Sequence, residues 1–316
     1  GARTEVDDRV ASVARGRAAR EEGGASEREP EARHAGNVHA RRPSVNRRDA
    51  RGSVAAAMAL KLDALGKTTA ELTHTYTWTD AVLYALSIGA KRDGELDFLW
   101  EGAGPKVFPT YAVVPTLLAH AALFDAIGGN LVGVVHGAQG IRLHAPFPSD
   151  GTLKTVAKVA GLYDLQRMGQ SLVTTETRDG KGTLLCETEW TVLYRLDGGF
   201  GGPPPPRRDD PKPPDRAPDW VVTETTSTEQ AALYRLNGDR NPLHIDPKFA
   251  QMAGFPAPIL HGLCTYGYVG RAVLAKECGG DPTRLRSLYG QFRKPVWPGD
   301  TLVIAGFREG GRVLVR

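Results

Sequence analysis

The sequence predicts an α+β architecture, with one or two helices laid against a long, curved antiparallel sheet. Three observations carry that expectation. Four runs (Leu131 to Leu143, Leu153 to Leu162, Ser171 to Arg178 and Thr183 to Leu196) alternate apolar and polar residues or are β-rich, and Gly, Pro and Asp separate them. Helical patterns are few and stand beside these runs, as in a layer of helices on a sheet. Finally, Leu143-His144-Ala145-Pro146-Phe147-Pro148-Ser149-Asp150-Gly151-Thr152-Leu153 is echoed at constant offset by Phe292-Arg293-Lys294-Pro295-Val296-Trp297-Pro298-Gly299-Asp300-Thr301-Leu302. In both, an apolar strand ends at a proline, turns, and restarts at Thr-Leu, as in a duplicated unit.

In chain order, residues 1–52 contain no Leu, Ile, Phe, Tyr or Trp, and twelve Arg face nine acids there. Such a segment buries too little apolar area to offset its ordering entropy, so residues 1–57 are expected to be a disordered tail. It lacks the apolar stretch of a signal peptide, and its acids argue against a transit peptide. Gly1 is not a start residue and the first methionine is Met58. The expectation is that the native protein begins there, a basic tail that binds something being the alternative.

A first domain is expected over residues 58–197. Thr79 or Asp80 would cap a helix over Ala81–Ile88, Leu96–Glu101 reads as a strand, and Val107 to Leu118 reads as a strand running into a helix over Ala119–Ala126. The four sheet runs follow. Residues 198–219 (Gly-Gly-Phe-Gly-Gly, four prolines, then mixed charges and more Pro) read as an extended, semi-rigid linker. Trp220 to Thr225 opens a second domain, residues 220–316, as a strand. Ser227 to Leu236 reads as a helical turn or two, and His261-Gly262 opens a long helix through Ala275.

The chain has 316 residues, enough for two domains with a real core, at an ordinary 41% hydrophobic and 24% charged. The net charge is +4, most of it in the tail, so the basic balance gives no argument for a nucleic-acid partner. No apolar run reaches the ~18 residues of a membrane span. Cys186, Cys264 and Cys278 lack metal spacing, and three cysteines fit a reducing compartment. No targeting signal is read, and a cytoplasmic protein is expected.

The candidate site is the string Asn237-Gly238-Asp239-Arg240-Asn241-Pro242-Leu243-His244-Ile245-Asp246, followed by Pro258-Ile259-Leu260-His261-Gly262-Leu263. Gly238 supplies a backbone bend and Pro242 cannot continue a helix, so acid, amide and imidazole sit on a tight, pre-set loop. The N–H groups opening the following helix have no partner inside it and lie at the positive end of its dipole, which suits a developing oxyanion. A carboxylate and an imidazole beside such a terminus can move protons at a carbon next to a carbonyl. Asp followed by Asn and Pro is also ordinary turn chemistry.

Gly238-Asp239-x-Asn241-Pro242-Leu243-His244 with Ile259-Leu260-His261-Gly262 resembles the hydratase-2 motif of the MaoC-like (R)-specific enoyl-CoA hydratases. The resemblance covers roughly residues 58–316, and Tyr76–Ala90, Phe98–Gly102 and His136-Gly137 match the N-terminal half. It implies two fused hot-dog folds, their sheets joined into one long sheet around central helices, with a non-catalytic first repeat that widens a tunnel for bulky acyl chains. It also implies reversible syn hydration of a trans-2-enoyl-CoA to an (R)-3-hydroxyacyl-CoA in fatty-acid metabolism. No metal or other cofactor is implied, because coenzyme A is part of the substrate, and a homodimer is expected.

Carried over residue by residue, Asp239 and His244 would activate the water, Asn241 would orient them or bind substrate, and the Gly262 N–H would stabilise the thioester oxyanion. Substrate contacts would fall on His136, Gly137, Arg240, Asn241, Leu243 and Phe292, with Arg240 suited to phosphate. Glu101 would support the site. The chain departs from the family pattern at Ala138 and Leu165, where relatives often carry an acid and a base. Relatives also continue past Gly310-Gly311-Arg312 by about one more strand, so the last strand is expected to be incomplete, with an exposed edge and lower stability. Thioester hydrolysis and non-catalytic acyl-CoA binding are the alternative readings.

Overall fold

The computed structural model describes residues 59–208 and 210–316, together with the backbone of Ala11 and Ser12. The first half is built from strand β2 (Leu72–Tyr76), helix α1 (Trp78–Ser87), helix α2 (Val113–Ala121) and strands β3 (Val134–Leu143), β4 (Gly151–Asp164), β5 (Gly169–Asp179) and β6 (Leu184–Tyr194). Their sheet order is β3-β6-β5-β4-β2, antiparallel throughout. Along β4, Leu153, Thr155, Ala157 and Val159 are buried while Lys154, Val156 and Lys158 are exposed, the period-2 pattern of a sheet with one covered face. This is the hot-dog arrangement.

Helix α1 starts earlier than expected. Thr77 is its N-cap, and the Asp80 carboxylate accepts the Thr77 N–H at 2.8 Å, closing a capping box. Two expected strands are corrected. Leu96–Phe98 and Glu101–Ala103 are 3₁₀ turns, and Val107 leads through the 3₁₀ turn Pro109–Ala112 into α2. Phe98 and Phe108 stack at 3.9 Å and are buried from within turns, a state that short hydrophobic runs alone cannot separate from a strand.

The second half contains β7 (Trp220–Thr225), α3 (Gln230–Tyr234), α4 (Pro247–Met252), α5 (Gly262–Glu277), β8 (Ser287–Gln291), β9 (Thr301–Glu309) and β10 (Arg312–Val315). The repeated cassettes occupy equivalent places, the turns between β3 and β4 and between β8 and β9. The single continuous sheet that was expected is instead two, a seven-stranded sheet β1-β8-β3-β6-β5-β4-β2, in which β1 is Ala11–Ser12, and a three-stranded sheet β10-β9-β7. Strand β8 pairs antiparallel with β3, from Ala138↔Gln291 to Arg142↔Ser287, and so joins the first half. In that half β6 bridges the counterparts of β8 and β10. Among the described residues β8 and β10 are not bridged in this way and lie in separate sheets.

The expected tail over residues 1–57 lies outside the described residues, apart from Ala11–Ser12. These form the two-residue strand β1, parallel to Gly290 and Gln291. The free edge of β8 offers N–H and C=O groups that an extended segment can use.

One apolar core runs through both halves. Helix α5 threads it and is buried from Leu263 to Leu274. Two glycines allow neighbouring backbone to close on this helix: a Cβ on Gly267 would stand 2.3 Å from Ile88, and one on Gly270 2.5 Å from Thr110. Between them and the helix end lies Arg271, 5% exposed, which bonds Glu95 at 2.7 Å, Glu224 at 3.1 Å and the Ile88 carbonyl at 2.9 Å. The linker is pinned across the sheet, where Arg208 lies 3.9 Å from the Tyr289 ring and binds Glu189. All three cysteines are buried and free.

Candidate active site

The loop after α3 takes its shape from side-chain to backbone bonds. Asn237 Nδ2 donates to Ser87 Oγ and to the Tyr234 carbonyl, both at 2.8 Å, hooking the loop onto α1. Gly238 follows at φ +116°, a value that other residues adopt only with strain. Asp239 then accepts the Asn241 N–H at 3.2 Å, and Asn241 Oδ1 accepts the Leu243 N–H at 3.0 Å as N-cap of the turn Pro242–His244. The cassette repeats at Asp246, which caps α4 ahead of Pro247. Asn241 thus makes the turn that carries His244, and its position on the cavity wall is compatible with a second contact.

His244 is 8% exposed, and its Nδ1 donates to the Ile259 carbonyl at 2.8 Å. In the neutral ring this fixes the tautomer, leaving Nε2 as an acceptor. Burial pulls its pKa below the ordinary histidine value, against the opposing pull of the Asp239 carboxylate. His261, 1% exposed, stacks on His244 with centroids 3.7 Å apart and donates from Nε2 to the Asp239 carbonyl at 3.1 Å. Burial and the neighbouring His244 push its pKa well down, so both rings are neutral at neutral pH.

Asp239, His244 and His261 offer ligand atoms within 4.8 Å of one another, which raises the question of a metal. The two imidazoles lie face to face, with planes 28° from parallel. A backbone carbonyl engages one nitrogen of each, Nδ1 of His244 and Nε2 of His261, so each ring keeps one nitrogen for a ligand or a proton.

Asp239, Arg240, Asn241, Leu243, His244, Gly262, His136 and Phe292 all line one cavity of about 1170 Å³. Gly262 is the first residue of α5, and a Cβ there would meet the Phe292 ring at 3.2 Å. Phe292 is tied to the first half by its N–H, which donates to the Gly137 carbonyl at 2.8 Å, and its ring lies 5.0 Å from His136. Gly137 itself sits at a β-bulge and is not among the residues that line the cavity. Glu101 is exposed on a 3₁₀ turn and does not line the cavity.

Sequence reasoning missed His261 as a positioning group, although it stands next to Gly262 in the motif. It also missed the wall contributed by the first half, where His120, Phe124 and Trp190 line the same cavity. Their signal was hidden, since aromatic residues in strands and helices read as core. Arg240, Arg293 and Lys294 are exposed and also line the cavity, giving it a basic rim. No helix among the described residues is long and apolar enough to cross a membrane.

Two family models match the halves on either side of the linker. Residues 74–196 match the MFE-2 hydratase 2 N-terminal domain, and residues 209–314 match the MaoC like domain. The chain is 43% identical to 3-hydroxyacyl-thioester dehydratase Y of Mycobacterium tuberculosis, over 82% of this chain and 91% of that protein. It is 39% identical to the peroxisomal enoyl-CoA hydratase 2 of Arabidopsis thaliana, over 77% of this chain and 85% of the relative. Among solved structures, a MaoC-like dehydratase from Phytophthora capsici superimposes with a TM-score of 0.71 at 31% identity, covering 81% of this chain and 95% of that one.

Proposed function

Since the chain belongs to the MaoC-like hydratase 2 family, we propose that it is a hydro-lyase that reversibly adds water across the 2,3-double bond of a trans-2-enoyl-CoA, giving the (R)-3-hydroxyacyl-CoA. The observation that carries this reading is the tautomer of His244, set by the Ile259 carbonyl, beside the Asp239 carboxylate and the opening N–H of α5 on one cavity wall.

The resting pair presents only acceptors to a water: a carboxylate, and Nε2 of a neutral imidazole whose other nitrogen is engaged. In hydration the water oxygen bonds to C3 while one of its protons passes to the pair. The electrons of the double bond move onto the thioester oxygen as an enolate, where the Gly262 N–H can stabilise it. The enolate then collapses, and C2 takes a proton from the pair, which returns to its resting state. The proton that reaches C2 is therefore the water's own, delivered from the face on which the water was held, so the addition is syn.

The basic rim of Arg240, Arg293 and Lys294 suits the phosphates of coenzyme A. The reaction needs neither metal nor nucleotide cofactor in this reading, and two copies of the chain are proposed to form a homodimer, which light scattering would test. The deciding experiment follows the enoyl-thioester absorbance with crotonyl-CoA and trans-2-decenoyl-CoA, with chiral analysis of the product. An (R)-3-hydroxyacyl-CoA product is expected. Release of free coenzyme A, or no turnover by folded protein, overturns the proposal.

A further inference from the structure

His120 stands out among the buried polar groups. It lies on α2, is 3% exposed, and neither ring nitrogen has a hydrogen-bond partner among the described residues. A buried polar group without a partner is costly to the fold, and a Leu or Phe would fill the same space without that cost. The ring is not in an isolated pocket. It lines the proposed active-site cavity, stacks on Trp190 at 4.8 Å and 9°, and meets Phe124 edge-on at 4.8 Å.

Trp190 is also stacked by His136 at 5.0 Å, and His136 lies 5.0 Å from Phe292, whose ring touches Gly262. A continuous wall of rings therefore runs from the start of α5 to His120. Burial keeps His120 neutral, with its pKa pushed down to about 3, so the ring offers one N–H and one lone pair and no charge. A half-turn about Cβ–Cγ exchanges Nδ1 with Cδ2 and Nε2 with Cε1 without moving the ring plane. Either nitrogen can thus be turned to the cavity while the stack on Trp190 is kept.

Resting on the hydratase reading, we propose that His120 selects enoyl-CoA substrates whose acyl chain carries a hydroxyl group beyond the reacting carbons. A hydroxyl both donates and accepts, so it satisfies whichever nitrogen the tautomer presents. The rings that His120 packs on, Trp190 and Phe124, give it no hydrogen bond, and an unsubstituted chain would leave the imidazole unpartnered.

The test compares kcat/KM for trans-2-decenoyl-CoA with that for derivatives bearing a hydroxyl at each carbon from C6 to C10, using the whole chain, with crotonyl-CoA as a short reference. At least one isomer is expected to exceed the plain chain by about tenfold, the usual scale of one buried hydrogen bond. In His120→Phe, which keeps a ring on Trp190, that ratio should collapse towards one, while His120→Asn should retain part of it. Should the Phe variant fail to fold, the wild-type series and the Asn variant still decide. Equal or poorer turnover of every hydroxylated chain by the wild type overturns the inference, as does a preference that survives loss of the imidazole. Failure to hydrate crotonyl-CoA and decenoyl-CoA alike is a different result, which removes the hydratase reading and this inference with it.

Discussion

His244 and His261 lie ring on ring, with centroids 3.7 Å apart and planes 28° from parallel. Each donates its inner N–H to a backbone carbonyl, His244 to Ile259 and His261 to Asp239. The second bond fastens the backbone of the acid to the ring beneath the base, so one contact sets the spacing of the pair. We read His261 as a positioning residue. His261→Leu should lower kcat by about 10–100-fold with little change in KM, the scale expected when a reacting group is misplaced by about 1 Å. His261→Asn, which can still donate to the Asp239 carbonyl, should recover part of that loss. A purely structural role would instead lower the melting temperature and leave kcat per folded molecule unchanged.

Asp239 and His244 are read as one proton-moving unit, which makes their losses non-additive. Asp239→Asn and His244→Gln should each reduce kcat by about 10²–10⁴-fold. The double variant should be scarcely worse than the poorer single one. A double variant whose loss is the product of the two single losses would mean that the groups act independently. Because burial holds His244 below its ordinary pKa, kcat/KM should be level through neutral pH and fall only on the acid side of about 6.5, where the base takes up a proton.

Much of this site was legible because turn chemistry is local. Gly238, the Asn241-Pro242 cap and the Asp246-Pro247 cap each act within two or three residues, so the loop geometry stands in the string itself. The four strands of the first half were legible for the same reason, since alternation along β4 and β5 records one covered face. Leu96–Glu101 was not, because only Phe98 is buried there and one buried residue sets no period, and the approach to α2 was not, because Pro109–Ala112 is buried throughout. The tie from Phe292 to Gly137, the ring wall through Trp190 and the pairing of β8 with β3 join residues more than fifty positions apart, which no local pattern records.

The metal question has a direct check. The proposed chemistry uses no Lewis acid, so dialysis against EDTA should leave the hydration rate unchanged. Loss of activity on chelation, restored by a divalent cation, would count against the proposed mechanism.

Two buried histidines should make stability depend on pH. Burial pushes His136 down to about 4 and His120 down to about 3, against 6.5 for an unperturbed ring. Both are depressed, so the unfolded chain binds their protons first as pH falls, and acid favours unfolding. Their contribution is fully present above pH 6.5 and is lost on the way down, through about 4 for His136 and about 3 for His120. Within that window the slope should be up to about 1.4 kcal/mol per pH unit for each ring. Denaturant titrations at pH 7, 6 and 5 test this, and His120→Phe should flatten the slope. An unchanged slope in that variant would remove His120 from the account.

Arg271 ties the two halves together through buried charge. It sits on the buried helix α5, 5% exposed, and reaches Glu95 from the first half and Glu224 on β7. Its two carboxylate partners are partly buried, with side chains 18% and 15% exposed. Arg271→Met should therefore cost about 3–5 kcal/mol, less for the net worth of the pairs than for the two acids left without a counter-charge. Adding Glu95→Gln and Glu224→Gln to that variant should return much of the stability, because no charge is then stranded. Equal melting temperatures for the single and triple variants would show instead that the loss comes from packing along the Arg271 stem.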